Sequence, residues 1–158
     1  MQSYSNNTKG QDLFFELLLI AAGARKQLSQ DYSSQEWEKA FSIAVDQSMA
    51  GVLMSALELL QQKGAQLPSK EFLLQWIGIV QMTEQNTKRL SEASKETVNF
   101  FRSNGFACNI LKGVSVGRYY PEPLRRSSGD VDIWLAGGRK KIYDFAKIMN
   151  YHALIKAL

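Results

Sequence analysis

Apolar side chains recur at helical spacing from Leu13 through Leu17, Ile20, Ala24 and Leu28, which predicts a core-facing helix over that stretch. Residues 1–11 before it are polar and are expected to fray. Ser33 and Glu36 stand at the spacing of a capping box and mark the start of a second helix. Its apolar stripe runs Trp37, Phe41, Ala44, Met49, Val52, Ala56 and Leu60, and Gly64 ends it before the turn at 65–69. A third, long helix is predicted from about Ser69 to Ser103, with Gly105 as its stop. One of its faces carries Phe72, Trp76, Val80, Thr83, Thr87, Leu90, Ser94, Thr97 and Phe101. That face is too polar in its middle for a simple core helix, so part of it is expected to face solvent or to span two domains.

Beyond Gly105 the period changes. Residues 106–111 (FACNIL) read as a strand, Lys112-Gly113 as a break, and 114–120 as a short helix. Residues 121–129 read as a loop, and 130–136 (DVDIWLA) as a second, otherwise buried strand. Gly137-Gly138 is a turn, and 139–150 is a helix with Ile142, Phe145, Ala146 and Met149 on one face. Residues 151–158 begin a third strand or close a last helical turn. The pattern describes an α+β protein, with a helical region over 1–104 and a small mixed sheet within 105–158.

The 158 residues suffice for one domain or two small ones. A net charge of +4 and a pI near 9.2 are mildly basic, short of the clustered charge that marks nucleic-acid binding. The run Arg139-Lys140-Lys141 has no aromatic stacking platform beside it and reads as a solvated face, so a nucleic-acid partner is not expected. Cys108, the single cysteine, cannot form an intramolecular disulfide and sits in an apolar stretch, which suggests a buried thiol and a cytoplasmic setting. Glu16 interrupts the apolar part of the first helix, which is too short to span a membrane.

The chemistry concentrates at Asp130 and Asp132. Residues i and i+2 of a strand share a face, so the two carboxylates are expected to project together. Carboxylates that close repel, and either share a proton or are held ionised by a cation. A hard cation such as Mg²⁺ (or Mn²⁺) suits them, although Asp-x-Asp alone also fits a solvated strand end. Lys112 and Gly113 open a short helix at the end of the preceding strand. There a glycine permits close backbone approach and free N–H groups attract phosphate, though an ordinary strand-to-helix turn has the same form. Arg125, Arg126, Ser127, Ser128 and Gly129 deliver the chain to Asp130. The arginines suit either a phosphate or a structural pair with an acid, and Gly129 suits a tight approach.

The order Leu111-Lys112-Gly113, Tyr120-Pro121, Pro123, Arg126, Gly129-Asp130-Val131-Asp132 resembles the bacterial nucleotidyltransferase-like family of the DNA polymerase β superfamily. The resemblance is tight over residues 105–135 and looser from about Trp37. It implies transfer of a nucleoside monophosphate from an NTP to an acceptor, with Asp130 and Asp132 as catalytic metal ligands. Lys112 and Gly113 would match the superfamily's phosphate-binding turn, more usually Gly-Ser, and Arg126, with Ser128 and Gly129, would bind phosphate or orient the aspartates. The superfamily's third carboxylate comes from a later strand. Asp144, the only acid after Asp132, falls in a predicted helix, so the chain resembles the front part of a longer family member. From this two readings follow: a nucleotidyltransferase, or an inactive relative that binds nucleotide or protein. A sheet of two or three short strands also invites a homodimer that completes it. The acceptor stays undetermined.

Overall fold

The computed structural model describes residues 2–149, with side chains from Lys9 onward. The elements in order are α1 (Gln2–Ala21), α2 (Ser34–Asp46), α3 (Ala50–Gln62), α4 (Lys70–Ser103), β1 (Cys108–Ile110), α5 (Val114–Gly117), a 3₁₀ turn (Pro123–Arg125), β2 (Ile133–Leu135) and α6 (Gly138–Ile148). They form two compact units. The first holds Met1–Lys88 with Gly117–Ser128, the second Arg89–Val116 with Gly129–Leu158. The division therefore falls inside α4, whereas the change of pattern in the sequence suggests residue 104. The end of α4 packs with the strands, and residues 117–128 pack with the helices.

The first unit follows the predicted stripes with two differences. The polar start of the chain is helical from Gln2, and α1 closes at Ala21, short of Leu28. Gly23 ends it: its positive φ of 74° lets its own N–H reach Ile20 O at 3.0 Å and lets Ala24 N–H reach Leu19 O at 2.9 Å. Residues 34–63 are two helices, not one. Ser33 caps the first through the expected capping box with Glu36. The break comes at Ser48, whose φ is 57°. Ser48 N–H bonds Val45 O and Met49 N–H bonds Ala44 O, the closure usually built on glycine.

Leu13, Leu17, Ile20, Trp37, Leu53, Leu57, Leu60 and Trp76 form the closed core of this unit. The Trp76 indole N–H donates to Ala50 O at 2.9 Å, so its burial leaves no donor unmet. The acid that interrupts α1 is also satisfied. Glu16 accepts from the Ser29 amide at 2.9 Å and from the Ser29 hydroxyl, and pairs with Arg25 at 2.6 Å. Burial alone would push its pKa up, but these partners outweigh burial and hold it below the ordinary value of 4.5. A depressed carboxylate contributes stability that is complete above its unfolded value and is lost as pH falls through the folded one. Thermal denaturation of Glu16→Gln should therefore show a shallower loss of Tm below pH 4.5 than the wild type. Equal slopes would place the acid sensitivity elsewhere.

The polar middle of α4 is where the helix passes from the first unit to the second, and two of its polar side chains are buried. Thr87 and Ser94 are 4% and 1% exposed. Their hydroxyls donate to the Arg126 carbonyl at 3.1 Å and to the Leu90 carbonyl at 2.6 Å, which is what makes a buried hydroxyl tolerable.

In the second unit β1 and β2 pair antiparallel, with Cys108 opposite Leu135, Asn109 opposite Trp134 and Ile110 opposite Ile133. The sheet among the described residues is thus antiparallel rather than mixed, and the α+β class holds. Alternation puts Cys108, Ile110, Ile133 and Leu135 on one face. Phe101, Phe106 and Phe145 pack there, with the Phe106 and Phe145 ring centroids 4.9 Å apart. Cys108 is buried and its thiol meets the Val98 carbonyl at 3.7 Å. The opposite face carries Asn109 and Trp134. Trp134 is 50% exposed, not buried as its apolar neighbours suggest, because the Phe101, Phe106 and Phe145 cluster lies on the other face of the sheet. The reading of 151–158 as strand or helix lies outside the described residues.

Candidate functional site

The second strand is shorter than its sequence suggests, and both aspartates precede its assigned start at Ile133. The ladder nonetheless reaches Asp132, whose carbonyl accepts from Leu111 N–H at 2.9 Å. Asp132 thereby joins Trp134 and Asn109 on the open face of the sheet, the side no aromatic cluster covers.

The turn after β1 is built against these residues. Gly113 has φ 64°, and a β-carbon there would lie 2.8 Å from the Asp130 carbonyl oxygen. Both the conformation and the close approach require glycine, and the backbone it approaches is that of Asp130. This contact sets Lys112 beside the acids. Lys112 Nζ lies 2.9 Å from Asp132 Oδ2, and contact with Asp132 chiefly, with a smaller pull from Asp130, holds the ammonium above the ordinary lysine range. Asp132 Oδ2 is screened from solvent, and the Lys112 ammonium 2.9 Å away is the charge that balances it.

The structure thus brings Lys112, Gly113, Asp130 and Asp132 together within the second unit. Gly129 belongs to the same unit, and a β-carbon there would meet nothing within 4 Å. Arg126 and Ser128 belong to the first unit, where the Arg126 guanidinium donates to the Ser128 hydroxyl at 2.8 Å. Arg125, which the sequence left open to phosphate or acid, is structural. It clamps Glu58 through two bonds of 2.7 and 2.9 Å and Glu84 through one of 3.0 Å, and these acids hold its guanidinium firmly protonated. Glu58 and Glu84 escaped sequence reasoning because they lie on separate helices, and nothing local marks them as partners.

Asp144 stands exposed on α6, and among the described residues no third His, Cys, Asp or Glu joins Asp130 and Asp132. Of the basic run, Arg139 and Lys140 are exposed. Lys141 donates to the Gly105 carbonyl at 3.2 Å and lies over the Phe106 ring. No described helix is long and apolar enough to cross a membrane.

A family model described as uncharacterised nucleotidyltransferase matches residues 33–154. The chain belongs to this nucleotidyltransferase family, and its general function is that of a transferase of nucleotidyl groups. No curated protein and no solved structure gives a significant match.

Proposed function

We propose that Asp130 and Asp132 hold a divalent cation, Mg²⁺ or Mn²⁺, together with the triphosphate of an NTP. The chain then transfers the nucleoside monophosphate to an acceptor. The observation that carries this reading is Asp132 Oδ2, a carboxylate oxygen screened from solvent whose ion-pair partner among the described residues is the ammonium of exposed Lys112. Two hard oxygen donors two residues apart, just before β2, suit such a cation, which when bound would neutralise charge on the phosphates.

The protein's own part is positioning. Lys112, 65% exposed and on a flexible stem, can leave Asp132 for a phosphate oxygen without unfolding anything. Gly113 keeps the turn pressed against the Asp130 backbone, which fixes the carboxylates relative to that lysine. In the reaction the acceptor oxygen forms a bond to the α-phosphorus. The bond from that phosphorus to the leaving oxygen breaks, pyrophosphate departs with the electron pair, and the acceptor proton passes to solvent.

A second reading, nucleotide binding without turnover, draws on the missing third acid among the described residues. Calorimetric titration of ATP and GTP with Mg²⁺ or Mn²⁺ tests the site, and pyrophosphate release separates the two readings. Binding that requires the metal supports the site; absence of binding with either metal overturns it. Lys112→Ala sharpens the test. It should bind Mn²⁺ alone more tightly, because the competing ammonium is gone, and Mn-ATP about tenfold more weakly, because a charge-assisted phosphate contact is lost. If neither affinity moves, Lys112 neither guards the carboxylates nor meets the phosphates.

A further inference from the structure

A groove of about 530 Å³ lies wholly within the second unit, between the last turns of α4 and the free edge of β1. Its α4 wall presents Lys95, Asn99 and Arg102, residues that share one helix face at i, i+4 and i+7. Its other wall is formed by Cys108, Asn109, Ile110 and Ser115, and Val98 adds apolar surface on the α4 side. No carboxylate lines it, and neither Lys95 nor Arg102 has an ion-pair partner among the described residues.

The backbone adds donors. Leu111 N–H bonds Asp132 O, and Ala136 N–H bonds Ala107 O, so alternate residues of β1 face β2. The intervening Cys108 and Ile110 turn their N–H groups toward the opposite edge, and both line the groove. Two cations, the Asn99 side-chain amide and two outward-facing N–H groups, with no acid among them, favour an anion over a cation at the polar end of this groove.

The groove also touches the proposed chemistry. The Ser115 hydroxyl donates to the Lys112 carbonyl at 3.1 Å, so the turn that carries Lys112 toward Asp132 also forms a wall of the groove. We infer that this groove binds the acceptor, a small hydroxyl-bearing molecule anchored by a phosphate or carboxylate group. As a statement about the acceptor it rests on the nucleotidyl-transfer reading; as a statement about anion binding it does not.

The test is a ¹H–¹⁵N NMR titration of the full chain with sn-glycerol 3-phosphate and, separately, with glycerate, in low salt without nucleotide or divalent cation. Saturable shifts at the Cys108, Ile110 and Ser115 amides are expected with at least one probe. A response to the phosphate alone assigns a phosphate ester, and a response to glycerate alone assigns a hydroxy acid. Lys95→Ala/Arg102→Ala changes two exposed side chains, and its own spectrum reports whether the fold is kept. It should weaken the responding probe about tenfold, the value of a partly screened pair of charged contacts. Absence of saturable shifts with both probes overturns the inference, as does unchanged affinity in the double variant. Because neither metal nor NTP is present, failure of NTP binding leaves this result standing, and failure here leaves the NTP titration standing.

Discussion

Asp130→Asn/Asp132→Asn is expected to abolish metal-dependent NTP binding and to lower nucleotidyl transfer by on the order of a thousandfold or more. Asparagine keeps the shape of each side chain and removes its charge, so the effect isolates the electrostatics. The fold should survive. Asp130 is exposed, and the one ion pair lost involves Lys112, a solvated side chain whose pairing contributes little to stability. Of the single variants, Asp132→Asn should be the more damaging, because Asp132 owns the oxygen that is screened from solvent and paired with Lys112. The Lys112 titration supplies a second readout. Its ammonium, raised by Asp132 first and Asp130 second, should move back toward 10.5 in Asp132→Asn. The ion pair itself is complete below that ordinary value and is lost as pH rises through the raised one. A double variant that binds Mn-ATP as the wild type does would place the metal elsewhere and remove the basis for the reading.

Part of the candidate site was legible because its motifs are local: Asp130 and Asp132 are two residues apart, and Lys112-Gly113 follows a strand. Their meeting depends on the pairing of β1 with β2, which brings Lys112 to Asp132, twenty residues on. The long helix ending before Gly105 and the capping box at Ser33 and Glu36 were legible from local signals too. What failed depended on partners distant in the chain. Trp134 sits in an apolar run, but its exposure is decided by which sheet face the Phe101 and Phe106 cluster covers. The polar stripe of α4 suggested solvent or a span between two domains; α4 does belong to both units, and Thr87 is buried in the first with its hydroxyl bonded to the carbonyl of Arg126, thirty-nine residues on. The break at Ser48 left a fainter trace. The apolar stripe steps by three or four residues except between Ala44 and Met49, where it steps by five, off helical register. Without a glycine or proline to announce it, that slip was read through.

Gly51→Ala is expected to destabilise the first unit by about 2–4 kcal/mol, a sign opposite to helix propensity, which favours alanine over glycine by about 1 kcal/mol. Gly51 lies in the first turn of α3, where a β-carbon would stand 2.1 Å from the Arg125 carbonyl oxygen and 2.9 Å from its carbonyl carbon. Those are backbone atoms and cannot rotate aside, so residues 117–128 must lift from α3. Lifting them pulls on Arg125, only 18% exposed, and on its bonds to Glu58 and Glu84. A largely covered arginine torn from two acids leaves charges unpaired, a loss several times the gain in propensity. Gly78 supplies the control. It also lies inside a helix, but a β-carbon there meets nothing within 4 Å, so Gly78→Ala should leave stability unchanged or raise it by up to about 1 kcal/mol. In thermal denaturation Gly51→Ala should therefore fall by roughly 5–10 °C while Gly78→Ala holds or rises. Equal, upward shifts in both would mean that propensity alone acts at Gly51. The segment carrying Arg125 would then not rest on α3, and the clamp on Glu58 and Glu84 would lose its footing.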